Sequence, residues 1–314
     1  MSSNDSSSAL PTLTEIPSAR TALAWIKELP VLGRCARAIH AKLSERRWAR
    51  DCQRHVRDPV RYPALPAIEL ITARHRTPGA EPARIAVVVH LFYPELLDQI
   101  CAYLRNITEP FDLIVSTPHR ELVVRIAQYC ADQAESVTIA IAENRGRDIG
   151  PFVALYRSGI FSSYEMVLKV HGKKSSYSDD GARWRMALLD DLCGSPEVVS
   201  KTLSIFRRDS TVGIIGPAAF YLTNERFCGS STSILQKLLM PAQILEGSIN
   251  PGFFAGSMFW FRPKAIELLN QIPESQLCFR AEDGSSDGTL AHAIERIFCP
   301  LSTAHGYEIS SLTQ

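Results

Sequence analysis

Apolar residues follow two different rhythms along this chain, and the change falls near residue 82. Over residues 21–55 they recur at three- and four-residue steps, which predicts a helical segment interrupted near Pro30. Residues 1–20 are rich in serine and residues 58–82 contain five prolines, so we expect a disordered tail before this segment and a linker or an extended wrap after it. The apolar stripe of the helix consists of Leu32, Cys35, Ile39 and Leu43.

Beyond residue 82, short apolar runs alternate with helical patterns, which is typical of an α/β domain with a parallel sheet. An aromatic and small-residue run over 253–261 predicts one further buried strand. We therefore expect one domain over residues 83–314, with a mostly parallel sheet and helices on both faces. Its other strands are predicted over 84–91, 111–116, 136–142, 165–170 and 212–215, and its helices over 94–105, 120–133, 151–156, 183–192, 196–206 and 288–297.

The composition fits a globular protein, since 46% of the 314 residues are hydrophobic and can form a sizeable core. The longest apolar run, over 85–93, is too short to span a membrane, and the first residues do not resemble a signal peptide. Eight scattered cysteines form no CxxC pair. We therefore expect a cytoplasmic protein with reduced thiols.

Charge is distributed unevenly along the chain. Residues 34–57 contain seven arginines and one lysine against two acids, a net charge of +6, whereas the whole chain has +1. This basic helix either packs on the domain with its charged face in water or docks peripherally on an anionic membrane. The acidic excess of the remainder makes a nucleic-acid partner unlikely, and we expect none.

The turn at 143–150, ENRGRDIG, joins a predicted strand to a helix. Glycines allow a ligand to approach the backbone, helix-start amides suit phosphate, and a carboxylate suits a sugar hydroxyl. The alternative is a structural turn in which Asp148 caps the helix. The spacing is neither the dinucleotide fingerprint nor a P-loop, which disfavours nicotinamide enzymes and kinases. The candidate donor-binding residues of this turn are Asn144, Gly146, Arg147 and Asp148.

A second cluster, KVHGKK, follows the predicted strand at 165–170. Converging cations there would neutralise a departing diphosphate, and the alternative is a solvated basic loop. Because an unpaired ammonium is costly inside an apolar strand, Lys169 favours the functional interpretation. Lys169 and His171 are candidate catalytic residues, and Lys173 and Arg185 are candidate donor ligands.

Asp287 is the candidate general base, although it is also placed to cap the last predicted helix. Glu282 and Asp283 compete for the role of base. We find no Cys/His spacing typical of a metal site. Aromatic rings stack on sugar faces, although a core strand would equally explain those over 253–261. The candidate acceptor-binding residues are Trp184, Phe254, Trp260, Glu282 and Asp283.

Six ordered segments between residues 84 and 298 resemble the rhamnan synthesis F family. The resemblance implies a role in assembling O-antigen or capsular polysaccharide, and more remotely a glycosyltransferase of the GT-A fold. It further implies an inverting transfer of a sugar, with L-rhamnose from dTDP-rhamnose as the expected donor, to a glycan or lipid-linked glycan acceptor. The segments are HLFYP at 90–94, ENRGRDIGPF at 143–152, LKVHGKKS at 168–175, WR at 184–185, FAGSMFWFRP at 254–263 and DGTLAHAIER at 287–296.

This chain departs from the GT-A pattern at one position. Such enzymes generally hold a divalent metal on Asp-x-Asp at the end of the fourth strand, where this chain has Lys169-Val-His171. We therefore expect no metal cofactor, with Mg²⁺ or Mn²⁺ as the alternative. The resemblance also puts Asp287 where the base is expected. The rival interpretation is a non-catalytic module that binds nucleotide sugar or polysaccharide and organises other enzymes.

Overall fold

A computed structural model describes residues 30–79, 81–172, 180–227, 229–240, 252–285 and 287–312. The predicted tail and Lys173 lie outside the described residues. The chain divides into two compact units, Met1–His40 and Ala41–Gln314, and all strands in the described residues belong to the second. None of the described helices is long and apolar enough to cross a bilayer.

The second unit is built on an eight-stranded mixed sheet and a separate two-stranded ribbon. The strands are β1 (Ile68–Arg74), β2 (Ile85–His90), β3 (Phe111–Thr117), β4 (Ser136–Ala142), β5 (Met166–His171), β6 (Val212–Pro217), β7 (Tyr221–Leu222), β8 (Phe253–Phe254), β9 (Phe259–Phe261) and β10 (Glu308–Leu312). The main sheet has the order β1-β4-β3-β2-β5-β9-β6-β10. Strands β2 to β5 are mutually parallel, β10 is parallel to β6, and β1 and β9 run antiparallel to their neighbours.

Helices cover both faces of the sheet, which confirms the predicted α/β class. The helices are α1 (Pro30–Arg57), α2 (Leu97–Leu104), α3 (Val123–Cys130), α4 (Ile149–Arg157), α5 (Asp180–Cys193), α6 (Pro196–Arg208), α7 (Asn224–Phe227), α8 (Thr232–Leu239), α9 (Leu290–Glu295) and α10 (Phe298–Ala304). Alternate side chains of β2 enter opposite cores: Val88 lies in the core that contains Phe152, and Val87 in the core that contains Ile100. Burial on both faces explains why this strand reads as a continuous apolar run.

Two elements differ from the sequence prediction. The segment 58–82 is not only a linker, because it contains β1, which pairs with β4 at the edge of the sheet. The single strand predicted over 253–261 is wrong, because a turn separates β8 from β9. In that turn Gly256 has φ 97° and Ser257 has φ 56°, left-handed values that end an extended strand.

Candidate functional site

Polar side chains meet where the parallel strands end. His90, the last residue of β2, is in register with Ser116 of β3 on one side and His171 of β5 on the other. His90 Nδ1 lies 3.0 Å from Ser116 Oγ. These three side chains are buried among the strand ends, so the carboxyl edge of the sheet has a polar centre, as expected for a ligand site in an open α/β sheet.

Lys169 lies at this edge but is 2% exposed. Its Nζ donates to Asp148 Oδ2 at 2.7 Å, to the Ser257 carbonyl at 2.7 Å and to Ser257 Oγ at 2.9 Å. An ammonium has three donors, and all three are engaged. Lys169 therefore joins the turn before α4 to the turn after β8. Its predicted direct contact with a diphosphate stays a hypothesis.

Asp148 immediately precedes α4, yet its side chain does not cap that helix. Its carboxylate accepts from Lys169 instead, and Oδ2 lies 3.9 Å from His171 Nε2. Burial by itself would raise the pKa of Asp148, but His171 and Lys169 outweigh it and hold the pKa well below its usual range. The capping interpretation of Asp148 is therefore wrong, and the site contains an ionised carboxylate at neutral pH.

His171 extends this cluster toward α9. Its Nε2 lies 2.6 Å from the Gly256 carbonyl oxygen, which requires a proton on that nitrogen. The Gly256 N–H in turn donates to Glu295 Oε1 at 2.9 Å. Glu295 was not predicted as a site residue, although it lies in the segment 287–296 that carried part of the family resemblance.

The turn between β4 and α4 is held in place by the loop near residue 279. Gly146 has φ 74°, and a Cβ added to it would lie 2.3 Å from the Phe279 ring. Its N–H donates to the Arg280 carbonyl at 3.1 Å. Asn144 is exposed and lines a groove of about 620 Å³ at the end of β4. Gly146 is thus required both by its positive φ and by the lack of space for a Cβ beside Phe279.

Arg147 connects this turn to the segment before α9. It is one of two non-glycine residues with positive φ among the described residues. Its guanidinium binds Glu282 through Nε at 2.8 Å and Nη2 at 3.0 Å, and Nη1 lies 3.1 Å from His292 Nε2. Burial raises the pKa of Glu282, but the hydrogen bond and charge of Arg147 bring it below its usual value. Glu282 is therefore a partner of Arg147, which weakens its case as the base.

Asp287 does not cap the last helix, so that alternative is wrong. Thr289 caps α9 together with His292. The Asp287 carboxylate accepts from the Ser230 N–H at 2.8 Å and lies 3.3 Å from Arg296 Nη2. Burial raises the pKa of Asp287, but the Ser230 N–H and Arg296 outweigh it and lower the pKa. Asp287 is thus ionised, as a base must be.

Asp283, next to Glu282, stabilises a local turn. Asp283 is exposed, and its Oδ1 accepts from the Ser285 N–H at 3.1 Å and from the Ser285 hydroxyl. These hydrogen bonds lower the pKa of Asp283.

Among the described residues, no three His, Cys, Asp or Glu side chains are grouped so as to hold a metal ion.

The candidate acceptor aromatics fall into two classes. Trp260 is 0% exposed, Phe254 is also buried, and Trp260 Nε1 donates to the Leu192 carbonyl at 3.0 Å. Phe254 belongs to β8 and Trp260 to β9, and their side chains lie in the two different cores. Their burial does not support the predicted contact with an acceptor, which stays a hypothesis. Trp184 is 37% exposed and stacks on Phe220, with ring centroids 6.0 Å apart and planes 9° apart. Phe220 was not predicted from the sequence.

Arg185, a predicted donor ligand, is buried beside α2. Its Nε donates to Gln99 Oε1 at 2.9 Å. Burial lowers the pKa of Arg185. This geometry supports a role in joining α5 to α2 and leaves the predicted phosphate contact as a hypothesis.

Acidification is expected to destabilise the fold between about pH 6.5 and pH 4. Burial lowers the pKa of His90 to about 4 and of His292 to about 4, so both are neutral in the folded state. The unfolded chain binds more protons in this window, and stability therefore falls as pH falls, by up to about 1.4 kcal/mol per pH unit for each histidine. Chemical denaturation at several pH values measures the slope.

The variant His90→Gln keeps a hydrogen-bonding group beside Ser116 but does not titrate. It is expected to reduce the slope by the share of one histidine. His305→Gln, at an exposed histidine, is the matched control for the substitution itself. An unaltered slope in His90→Gln would show that His90 does not contribute to it.

Comparison with known proteins adds an independent finding. The family model for rhamnan synthesis protein F matches residues 55–307. The chain is 32% identical over 229 residues to an uncharacterized protein, WxcX, of Xanthomonas campestris pv. campestris, in each of two strains. The match covers 73% of this chain but 32% of WxcX, so the chain spans about a third of the length of these relatives.

Proposed function

This chain belongs to the rhamnan synthesis protein F family, and from that premise we propose that it is an inverting glycosyltransferase of bacterial surface polysaccharide synthesis. Its family supports a role in polysaccharide synthesis. The proposed donor is a nucleotide sugar, dTDP-L-rhamnose in the first instance. The proposed acceptor is a hydroxyl of a glycan or lipid-linked glycan. The proposed setting is the cytoplasmic side of the membrane.

The observation that carries the proposal is the cluster of Asp148, Lys169 and His171 at the carboxyl edge of the sheet. A buried ion pair there is costly to build, and replacing such a pair by apolar residues is often neutral or stabilising. Its position at the strand ends fits ligand binding better than stabilisation of the fold. In this proposal Asp148 orients hydroxyls of the donor, and Lys169 holds the carboxylate in place.

The proposed reaction is a single displacement. Asp287 takes the proton of the acceptor hydroxyl while its oxygen forms a bond to the anomeric carbon, and the bond from that carbon to the diphosphate breaks. The nucleoside diphosphate leaves with the bonding electrons. Arg147 is a suitable cation to meet its charge, because phosphate oxygens can replace the carboxylate of Glu282 on the same guanidinium fork.

The stacked pair Trp184 and Phe220 is the proposed contact for the acceptor sugar. It lies beside the turn that joins the cluster to α9, since a Cβ on Gly256 would be 3.9 Å from Trp184 Nε1. An exposed indole offers a flat apolar surface of the kind on which sugar rings stack. The pair therefore supports an acceptor path that leads toward His171.

The residues at the end of β5 do not fit a resident divalent metal. Asp148 is already neutralised by Lys169, and an ammonium 2.7 Å from that carboxylate would repel a metal bound to it. We therefore expect purified protein to release nucleoside diphosphate from dTDP-rhamnose in EDTA at a rate close to that in Mg²⁺. Coupled detection of the released diphosphate measures both rates.

Two outcomes separate the rival interpretations. Binding of the nucleotide sugar, measured by a thermal shift, without any release of diphosphate in the presence of acceptor would favour a non-catalytic module. Release that requires Mg²⁺ or Mn²⁺ would overturn metal independence but leave the proposed transfer intact. In that case Asp148 with Glu282 or Asp283 becomes the metal-site hypothesis.

A further inference from the structure

One side of helix α1 packs on the domain through residues 41–57. Trp48 is buried, and its Nε1 donates to the Gln276 carbonyl at 2.9 Å. The two acidic residues of this stretch form ion pairs with the domain: Glu45 pairs with Lys237, and Asp51 Oδ2 lies 3.2 Å from Arg280 Nε. The packed side thus neutralises the negative charges of the helix.

The opposite side is cationic, and we call it the basic face. Residues 41–62 contain seven basic residues against three acids, a net charge of +4. Among the described residues only Arg54 of the seven forms a side-chain ion pair, at 3.6 Å from Asp51. The basic face comprises Lys42, Arg46, Arg47, Arg50, Arg54, Arg57 and Arg61, all of them exposed.

Apolar side chains are interspersed with these cations. Leu43 and Val56 are exposed on α1, and Val60, in the turn after it, is 91% exposed. The Arg61 guanidinium lies 5.5 Å from the centre of the Tyr62 ring. Single exposed aliphatic residues occur on most protein surfaces, but here three of them lie among the cations of the basic face. They suit an interface in which cations meet headgroup phosphates and apolar tips enter the acyl boundary.

We propose that the basic face docks this protein reversibly on an anionic lipid bilayer. Its charge would also attract a nucleic acid, but the exposed apolar residues favour lipid. Helix α1 adjoins the candidate site through its packed side, because Arg280 pairs with Asp51 and its carbonyl accepts from the Gly146 N–H. If the proposed function holds, docking brings the site close to a lipid-linked acceptor. Docking itself does not depend on that function.

Vesicle sedimentation tests the proposal without any measurement of activity. At low salt the protein is expected to sediment with vesicles of equal parts phosphatidylcholine and phosphatidylglycerol, and not with phosphatidylcholine alone. In 1 M salt, where the Debye length is about 3 Å, most binding should be lost. The triple variant Arg46→Ser, Arg47→Ser, Arg50→Ser should bind roughly 100-fold more weakly.

A matched variant removes three exposed cations elsewhere: Lys201→Ser, Arg208→Ser and Lys264→Ser. It should bind vesicles like the wild type, and both variants should keep the wild-type melting temperature. Equal binding of the two variants, or no binding of wild type to anionic vesicles at low salt, would overturn the proposal. Tighter binding to a DNA duplex than to vesicles, unaffected by Val60→Ser, would overturn it in favour of a nucleic acid.

Discussion

Replacing Asp148 by Asn is expected to lower the free energy of unfolding by about 3 to 5 kcal/mol. The substitution removes the counter-ion of Lys169 and leaves an ammonium buried at 2% exposure, with only neutral acceptors around it: the new amide oxygen and the two oxygens of Ser257. Equilibrium denaturation in urea measures the loss. The exposed pair Arg84 and Glu165 offers the matched control, and Glu165→Gln should cost less than about 1 kcal/mol.

A double variant separates the structural and functional roles of this pair. Asp148→Asn with Lys169→Met removes both charges, so its stability should recover by about 2 kcal/mol or more relative to the sum of the single losses. The carboxylate proposed to bind the donor remains absent, and the thermal shift expected with nucleotide sugar should stay lost. Recovery of both stability and donor binding would show that Asp148 does not contact the donor.

Replacing Asp287 by Asn is expected to lower kcat by about 100-fold or more, the range for loss of a general base. The amide still accepts the Ser230 N–H but lacks a basic oxygen and the charge that pairs with Arg296. Because the side chain is only part-buried, the expected cost in folding free energy is about 1 kcal/mol. Initial rates of diphosphate release with acceptor present, together with urea denaturation, measure the two effects.

Two further variants complete the test of Asp287 as the base: one is a control, and the other tests an alternative base. Asp283→Asn is the matched control, since this exposed carboxylate bonds only to Ser285 among the described residues, and turnover should stay near the wild-type value. Glu295→Gln tests the carboxylate that accepts from Gly256. A large loss in Glu295→Gln with near-normal turnover in Asp287→Asn would transfer the role of base to Glu295.

Local patterns were sufficient to predict the α/β class and the parallel core of the sheet. Strands β2 to β5 are short apolar runs separated by helical patterns. The apolar pattern of a strand or of a helix depends only on which of its own faces are buried. The segments β1 and β10 were not predicted. Strand β1 lies among prolines, and its side chains are half-exposed at the sheet edge, so neither its composition nor its periodicity is that of a core strand.

The order of the elements along the chain was also sufficient to predict that Asp148, Lys169 and His171 lie at the carboxyl edge of the sheet, because each stands at a strand end or helix start. The contacts that these groups make with one another follow from the packing of distant segments. The turn after β8 supplies two oxygens that enclose Lys169, and Asp148 provides its counter-ion. Lys169, which was predicted to neutralise a diphosphate, is buried and binds the Asp148 carboxylate. The hydrogen bonds that enclose Lys169 join residues up to 88 positions apart. The spacing of residues along the chain does not reveal such contacts.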